Sequence, residues 1–167
     1  MTVKKYGWIM LAVLLVLIAA VLIVGFQVRN QQLELEKAGS VRLIVQGQEF
    51  VIPVSQLDRG EFFGETVSGK GEAISNSYRG VEVRTLLQER EYNPDRVTGM
   101  TATAADQYSA EYSGDEIREA RRVYLAVAMN DQKIEGMEPD QPGVMVIVFG
   151  DSNSKRIIRN PVKLEIR

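Results

Sequence analysis

Residues 79–87 read RGVEVRTLL, and this stretch decides the fold class because a strand-like run ends just before it and a short helix is predicted within it. The residues just before it, 72–78, have the composition of a β-strand. Four apolar residues then fall on one side of a short helix that we expect to end near Arg90: Val81, Val83, Leu86 and Leu87. The stretch therefore predicts one strand followed by one short amphipathic helix.

Strand-like runs lie on both sides of this stretch. Residues 41–45 and 49–54 surround a glycine turn at 46–48 and predict a hairpin. Residues 97–104 and 108–112 surround Ala105-Asp106-Gln107 and predict a second hairpin. Three further strands are predicted at residues 122–128, 144–149 and 161–166. Many short strands without regular β-helix-β alternation predict a β-rich α+β domain over residues 41–167.

Three segments are predicted to lie outside the strands. Residues 58–71 contain four glycines and are predicted to form a loop, but no Gly-Lys-Ser/Thr or G-x-G-x-x-G pattern accompanies them, so they do not indicate a phosphate site. Asn93-Pro94-Asp95 predicts a turn. Ser113-Gly114-Asp115-Glu116 has the form of a capping box and predicts a short helix that ends at Ala120.

The N-terminal segment is strongly apolar. Residues 7–26 read GWIMLAVLLVLIAAVLIVGF, which as a helix would span roughly 30 Å, the hydrocarbon thickness of a bilayer. Lys4 and Lys5 precede it and only Arg29 follows closely, which predicts a cytoplasmic N-terminus and an extracytoplasmic C-terminal domain. A cleaved signal peptide is the alternative, but it would have a shorter apolar core and a small-x-small cleavage site.

The sequence therefore predicts a single-pass protein of the cell membrane in three parts. Residues 1–28 are the cytoplasmic tip and the signal-anchor helix, residues 29–40 are a short stalk, and residues 41–167 are one extracytoplasmic domain. Its membrane partner is the bilayer around residues 7–26. Without Lys4 and Lys5, 18 of the 20 basic residues remain against 22 acidic residues, a balance that does not favour nucleic acid as a partner.

Histidine and cysteine are both absent from the sequence. Ser-His-Asp triads, imidazole bases, thiolate nucleophiles and His or Cys metal sites are therefore excluded. The lack of cysteine also excludes disulfides, and a bacterial envelope protein is the expected class. Carboxylates, Lys, Arg, Tyr and hydroxyl groups remain for chemistry.

Five segments, in the right order, resemble elements of the molybdopterin-binding domain of sulfite-oxidase-type oxidoreductases. Residues 79–87 resemble its W-x-G-V-x-L-x-x-L-L element, residues 97–109 resemble its strand followed by Asp-Gly-Tyr, and residues 125–130 its LA-x-x-hydrophobic-N-G strand and turn. Residues 141–151 are similar to its Gly-x-Pro-x-Arg-x-x-x-Pro-Gly segment, and residues 156–166 to its final K-W-x-x-I strand. The resemblance implies that family's fold over roughly residues 41–167.

The sequence departs from this family at the cofactor. The family holds molybdenum through a cysteine, which this chain lacks. Met145 stands where the family has an Arg, Asn160 where it has a Trp, and Arg159 where it has a cofactor-contacting Lys. Because a cofactor with several charges needs cationic donors, we expect no cofactor here, and the molybdenum cofactor is disfavoured. The fold is expected to be retained and the molybdenum site lost.

The resemblance also implies where a ligand would bind. Asp106 and Tyr108 occupy the turn that borders the family's cofactor pocket, and Lys155, Arg156 and Arg159 follow in the last loop. If the two segments meet, they would line one cleft for a small anionic or zwitterionic ligand or for an acidic segment of a partner. The alternatives are an ordinary turn and a solvated basic face.

No catalytic residue and no metal ligand is predicted. Glu111, Asp115 and Glu116 could suggest an acid-base pair, but helix capping explains two of them.

Three function classes follow. The first is a membrane-anchored extracytoplasmic module that binds a ligand or a partner on an inactivated molybdopterin-domain scaffold. The second is a redox accessory or oxidoreductase subunit that uses another cofactor or docks to a flavin- or haem-bearing partner. The third is a structural envelope protein. A partner protein from the envelope or from a redox system fits the first two classes.

Overall fold

A computed structural model describes residues 39–151 and 154–167. The predicted membrane segment, the cytoplasmic tip and most of the stalk lie outside these residues. Within the described residues, no helix has both the length and the apolar character needed to cross a bilayer. Ala38–Arg167 forms one compact unit.

The domain is rich in β-strands, as the sequence predicts. In chain order the strands of the described part are β1 (Ser40–Val45), β2 (Gln48–Pro53), β3 (Gly60–Val67), β4 (Ala73–Glu82), β5 (Gly99–Ala104), β6 (Ser109–Ser113), β7 (Val123–Met129), β8 (Gln132–Lys133), β9 (Met145–Val148), β10 (Ile158–Arg159) and β11 (Pro161–Ile166). The two short helices are α1 (Val83–Gln88) and α2 (Gly114–Arg118), and 3₁₀ turns occupy Val54–Leu57, Pro94–Arg96 and Ser154–Arg156.

The strands form two sheets. The first has the order β2-β1-β11-β5-β6, and the second has the order β10-β9-β7-β4-β3, with β8 added beside β7. The β1–β11 pair is parallel, so the last strand of the domain lies beside the first. The other strand pairs are antiparallel.

Both predicted hairpins are confirmed. Strands β1 and β2 join through Gln46 and Gly47, which have φ angles of 51° and 81°. This pair of positive values is the geometry that favours glycine in a two-residue hairpin turn. Strands β5 and β6 pair from Gly99 with Ser113 to Thr103 with Ser109, around the predicted turn.

The prediction of a loop at residues 58–71 is wrong. Residues 60–67 form β3, which pairs with β4 along its whole length. Of the four glycines that suggested a loop, Gly64 has a packing reason, whereas a Cβ at Gly60, Gly69 or Gly71 would meet nothing within 4 Å. A Cβ at Gly64 would collide with the ring of Phe149, so only glycine lets that ring cover the strand. Only residues 68–72 turn, as a tight connection closed by the Ser68 amide donating to the Glu72 carbonyl at 2.8 Å.

The predicted helices form with shifted ends. Helix α1 begins at Val83, because Val81 is still paired with Leu125 in the second sheet. Helix α2 begins with the predicted capping box of Ser113 and Glu116, and it ends at Arg118 rather than Ala120. The short strands β8 and β10 were not predicted.

The main core joins both sheets and both helices. Its fully buried side chains include Leu43 in β1, Leu86 in α1, Ile117 in α2, Leu125 in β7 and Leu164 in β11. A second, smaller cluster belongs to the second sheet and is largely aromatic. There the ring of Phe62 stacks on Tyr124 with centroids 4.0 Å apart, and Tyr78 and Phe149 pack around them.

Candidate functional site

A cleft of about 610 Å³ opens beside the aromatic cluster. Its walls come from the ends of β3 and β4, from the turn between β5 and β6, and from residues 157–159. This volume lies within the roughly 300–1,000 Å³ range of ligand sites in proteins. The cleft is therefore the strongest candidate binding site in the part of the chain that the structure describes.

The turn predicted to border a pocket lies at this cleft. Gln107 adopts a φ of 70°, and the Asp106 carboxylate accepts a hydrogen bond from the Tyr108 amide at 3.0 Å. This is an Asx turn, which explains why an aspartate begins it. The Tyr108 hydroxyl then donates to the Lys155 carbonyl at 2.7 Å. The turn and the last loop, which the sequence suggested would meet, are in contact.

Asp106 and Arg159 supply opposite charges to the cleft. Arg159 is exposed in β10, where it pairs with Met145 of β9. Among the described residues, its side chain makes no hydrogen bond and no ion pair. The Asp106 carboxylate has only the Tyr108 amide as a partner within the same residues. Both groups can therefore bind a charged or polar ligand without breaking a strong existing contact.

One end of the cleft carries neutral polar groups held in a fixed arrangement. The hydroxyl oxygens of Thr66 and Tyr78 lie 3.3 Å apart, and Thr66 is only 6% exposed. The Asn76 amide donates to the same Tyr78 oxygen at 3.2 Å, and the Asn130 amide donates to Asn76 at 2.8 Å. Sequence reasoning missed Thr66 because it placed residues 58–71 in a loop, and it placed residues 72–78 in a strand without singling out Asn76 or Tyr78. The spacing of Phe62, Gly64 and Thr66 at every second position of β3 was the signal that could have revealed Thr66.

The remaining lining is mostly apolar. Met129, Met145, Ile157 and Ile158 face the cleft together with Ile74. Thioether side chains adapt to irregular ligand shapes. A ligand with an apolar body and a charged group at one end would match this apolar lining and the charged side chains beside it.

Arg156 lies elsewhere, although it was predicted beside Arg159. Its guanidinium donates to Glu116 at 2.7 and 2.8 Å and to Asp151 at 2.9 Å, and it also donates to the Glu111 carbonyl at 3.0 and 3.2 Å. The same group stacks over the ring of Tyr112, 5.2 Å from its centroid. These contacts use its donors within the protein. We call the set of Glu116, Asp151, Arg156 and Tyr112 the Arg156 cluster.

The electrostatics of the Arg156 cluster are those of a structural ion pair. The hydrogen bonds from Arg156 lower the pKa of Glu116 to about 2, against the opposing effect of burial. The bond to Glu116 in turn raises the pKa of Arg156. Burial raises the pKa of the Tyr112 hydroxyl, which donates to the Arg156 carbonyl at 2.6 Å.

Lys155 contributes to the cleft region through its backbone. Its carbonyl accepts a hydrogen bond from the Tyr108 hydroxyl, while its exposed side chain is not among the groups that line the cleft.

Asn160 and Met145, the other two departures from the family pattern, lie in different places. Asn160 joins Val144 and Glu135 through hydrogen bonds of 3.1 and 3.0 Å, and Met145 lines the cleft.

The donor groups do not fit a molybdenum centre of the thiolate-bound type. The chain contains no cysteine or histidine, and no three acidic side chains of the described residues come together as metal ligands would. The lining of the cleft includes one carboxylate, one guanidinium and neutral groups. A thiolate ligand and a set of cationic contacts are both missing from this lining.

Comparison with known proteins supports the fold. No protein-family model matches this chain, and no curated protein matches it. Among solved structures, 26 chains match. One is the sulfane dehydrogenase SoxCD from Paracoccus pantotrophus, with a TM-score of 0.55 and 14% sequence identity over 78% of this chain. The similarity supports the predicted sulfite-oxidase-like fold.

The same comparison limits what can be carried over. The match covers 38% of the SoxCD chain, so this protein corresponds to much less than the whole of that enzyme subunit. An identity of 14% shows a shared fold and says nothing about a shared reaction.

Proposed function

We propose that this chain is a membrane-anchored extracytoplasmic binding module whose ligand lies in the cleft. In this proposal, the scaffold is molybdopterin-binding-like and has lost its molybdenum site. The observation that carries the proposal is the convergence of Asp106 and Arg159, both open to new contacts, on one largely apolar cleft of about 610 Å³. The missing cysteine supports the loss of molybdenum ligation.

The proposed ligand is a small amphipathic molecule that carries an anionic group, with or without a positive group. Arg159 would bind the anion with charge-assisted hydrogen bonds, and Asp106 would accept from a donor or a positive group on the same ligand. Met129, Met145 and the isoleucines would cover its apolar body. Thr66, Asn76 and Tyr78 would give orientation, because their positions are fixed by their own hydrogen bonds.

The test uses the full chain, purified from the membranes of its own host into lipid nanodiscs, with mass spectrometry of the molecules released on denaturation. The parent protein should carry a bound molecule. The bound amount should fall roughly ten- to a hundredfold in Arg159→Ala, since a charged hydrogen bond contributes about 1.5–3 kcal/mol. Ala104→Phe should have the same effect by filling the cleft.

Arg96→Ala is the matched control, because Arg96 is also exposed but lies in the Pro94–Arg96 turn outside the cleft. It should retain the molecule at the level of the parent. The proposal fails if the parent carries nothing, or if Arg159→Ala and Arg96→Ala carry equal amounts.

A redox accessory is the second candidate, and the likeness of the fold to a sulfane dehydrogenase is the observation that favours it. A bound flavin or haem in this chain, or in a partner purified with it, would give visible absorbance. We expect the full chain alone to be colourless. A visible spectrum from the purified chain would favour the redox candidate over the binding module.

A further inference from the structure

Strand β3 is the longest edge strand of the two sheets in the described part of the chain. It is eight residues long, it lies at the end of the second sheet, and β4 is the strand that pairs with it. An unpaired edge offers a row of backbone N–H and C=O groups to another chain, and proteins normally protect such edges with proline, charged side chains, a bulge or a covering segment. Gly60–Val67 contains no proline, no lysine and no register shift against β4, and its charged side chains are both acidic, Glu61 and Glu65.

The other sheet edges in the described residues are shorter or protected. Strand β6 is covered by the Ser154–Arg156 turn, to which Tyr108 and Tyr112 donate and from which Arg156 reaches the Glu111 carbonyl. Strand β10 has two residues, and β2 ends at a proline. Strand β3 therefore offers the longest run of edge backbone among the described strands.

The side chains of β3 differ between its two faces. Phe62 packs in the aromatic cluster, and Gly64 gives room to the Phe149 ring, so this face holds the strand rigidly. On the opposite face Glu61, Phe63 and Glu65 follow one another at every second position, and all three are exposed. Phe63 is 77% exposed, the highest value among the large apolar residues described. An aromatic ring between two carboxylates therefore lies along an open strand edge.

We propose that the β3 edge binds an extended, basic segment of a partner protein, which adds one strand to the second sheet. Backbone hydrogen bonds along Gly60–Val67 would supply the pairing. Opposite Glu61, Phe63 and Glu65, the partner would place a basic, an apolar and a basic side chain, because directly opposed pairs of this kind stabilise a sheet. Glu61, Phe63 and Glu65 do not line the cleft, which takes only Thr66 and Val67 from the end of this strand.

Charge selects a basic partner over a second copy of this chain. A twofold pairing of two β3 strands is antiparallel, and centred on Phe63 it places Glu61 opposite Glu65 twice. Like charges directly opposite each other destabilise a sheet. A basic partner strand converts both repulsions into attractions while keeping an apolar contact with Phe63.

The test measures binding of labelled peptides, by fluorescence anisotropy, to the full chain in phosphatidylcholine nanodiscs. The probe is acetyl-Thr-Lys-Thr-Val-Thr-Lys-Thr-amide, and its matched control has Glu in place of both Lys. We expect the Lys peptide to bind at least about fivefold more tightly, since two opposed pairs change sign. The double variant Glu61→Lys/Glu65→Lys should reverse this preference.

Glu91→Lys/Glu138→Lys changes the net charge equally at two exposed positions outside β3 and should keep the preference of the parent. Circular dichroism checks that each variant is folded, which the exposure of the substituted residues favours. If the β3 variant and this control behave alike, the binding is nonspecific and the proposal is wrong. Failure of the parent to bind the Lys peptide also overturns it.

Alternate N-methylation separates strand pairing from simple charge attraction. Successive N–H groups of a strand point to opposite edges. In one peptide the methylated nitrogens would therefore face β3, and in the other they would face solvent. The peptide whose methyl groups face solvent should bind like the unmethylated peptide. The affinity of the peptide whose methyl groups face β3 should fall at least about tenfold. Equal binding of the two overturns strand addition. Self-association of the full chain that Phe63→Lys abolishes would identify a second copy as the occupant and also overturn the proposal.

Discussion

Replacing Glu116 with Gln should make the stability of the domain less dependent on pH. Glu116 is 16% exposed, and it receives two hydrogen bonds from Arg156, whose side chain is 24% exposed. Gln can still accept hydrogen bonds and still occupies the last position of a capping box, so the substitution removes mainly the charge. The variant therefore isolates the ion pair from the helix cap.

The magnitude follows from the lowered pKa. The gap between the ordinary Glu pKa of about 4.3 and the folded value of about 2 corresponds to about 3 kcal/mol at 1.36 kcal/mol per pH unit. Residual exposure screens part of this, so we expect Glu116→Gln to cost about 1–2 kcal/mol at pH 7. A lowered folded pKa stabilises the protein above the unfolded pKa. The difference between parent and variant should therefore be complete above about pH 5 and shrink as the pH falls towards 2.

The assay is urea unfolding of Ala38–Arg167 at several pH values, followed by far-ultraviolet circular dichroism. Glu49→Gln is the control, because Glu49 is exposed and lies 3.9 Å from Arg42, so its loss should cost less than about 0.5 kcal/mol. A loss of stability in Glu116→Gln that is the same at pH 3 and pH 7 would refute the argument, because the ion pair would then contribute no pH-dependent free energy.

Three further predictions concern packing, topology and metal content. Gly80→Ala should reduce the free energy of unfolding in urea by about 2 kcal/mol or more, because a Cβ there lies within 3.0 Å of the Leu125 carbonyl oxygen, whereas Gly60→Ala, with nothing within 4 Å, should be nearly neutral. A reporter active only in an oxidising compartment and fused after Arg167 should work, and activity confined to the cytoplasm would contradict the predicted orientation. Protein purified from its own host should contain no stoichiometric molybdenum by elemental analysis, since thiolate ligation is impossible.

Local sequence signals predicted the local structure of this domain well. The turn at Gln46 and Gly47 and the capping box of Ser113 and Glu116 each depend on residues close together in the chain, and both form as predicted. The prediction for residues 58–71 was wrong because the number of glycines alone does not distinguish a loop from a strand, and Gly64 is required by packing rather than by a turn. Gly64 faces Phe149, which is distant in the sequence, so its reason could not be read from its own segment.

In the candidate site, too, one placement was suggested by the sequence and another could not be read from it. The meeting of the turn at Asp106 with the last loop was inferred from family resemblance, and the contact between Tyr108 and Lys155 brings these segments together. Arg156 was grouped with its basic neighbours because sequence shows adjacency in the chain. Its partner Glu116 is 40 positions away, and this pairing is what removes Arg156 from the cleft.

The two proposed binding surfaces both involve β3. One face of this strand packs its aromatic ring into the second cluster, its far end supplies Thr66 to the cleft, and its open edge carries Phe63 between two carboxylates. A strand held along one side by β4 and on one face by packed rings loses little conformational freedom when a ligand or partner arrives, so less binding free energy is spent on ordering it. Substitutions that loosen the packing of Phe62 should therefore weaken binding at both surfaces, whereas Arg159→Ala and Glu61→Lys/Glu65→Lys should each affect one.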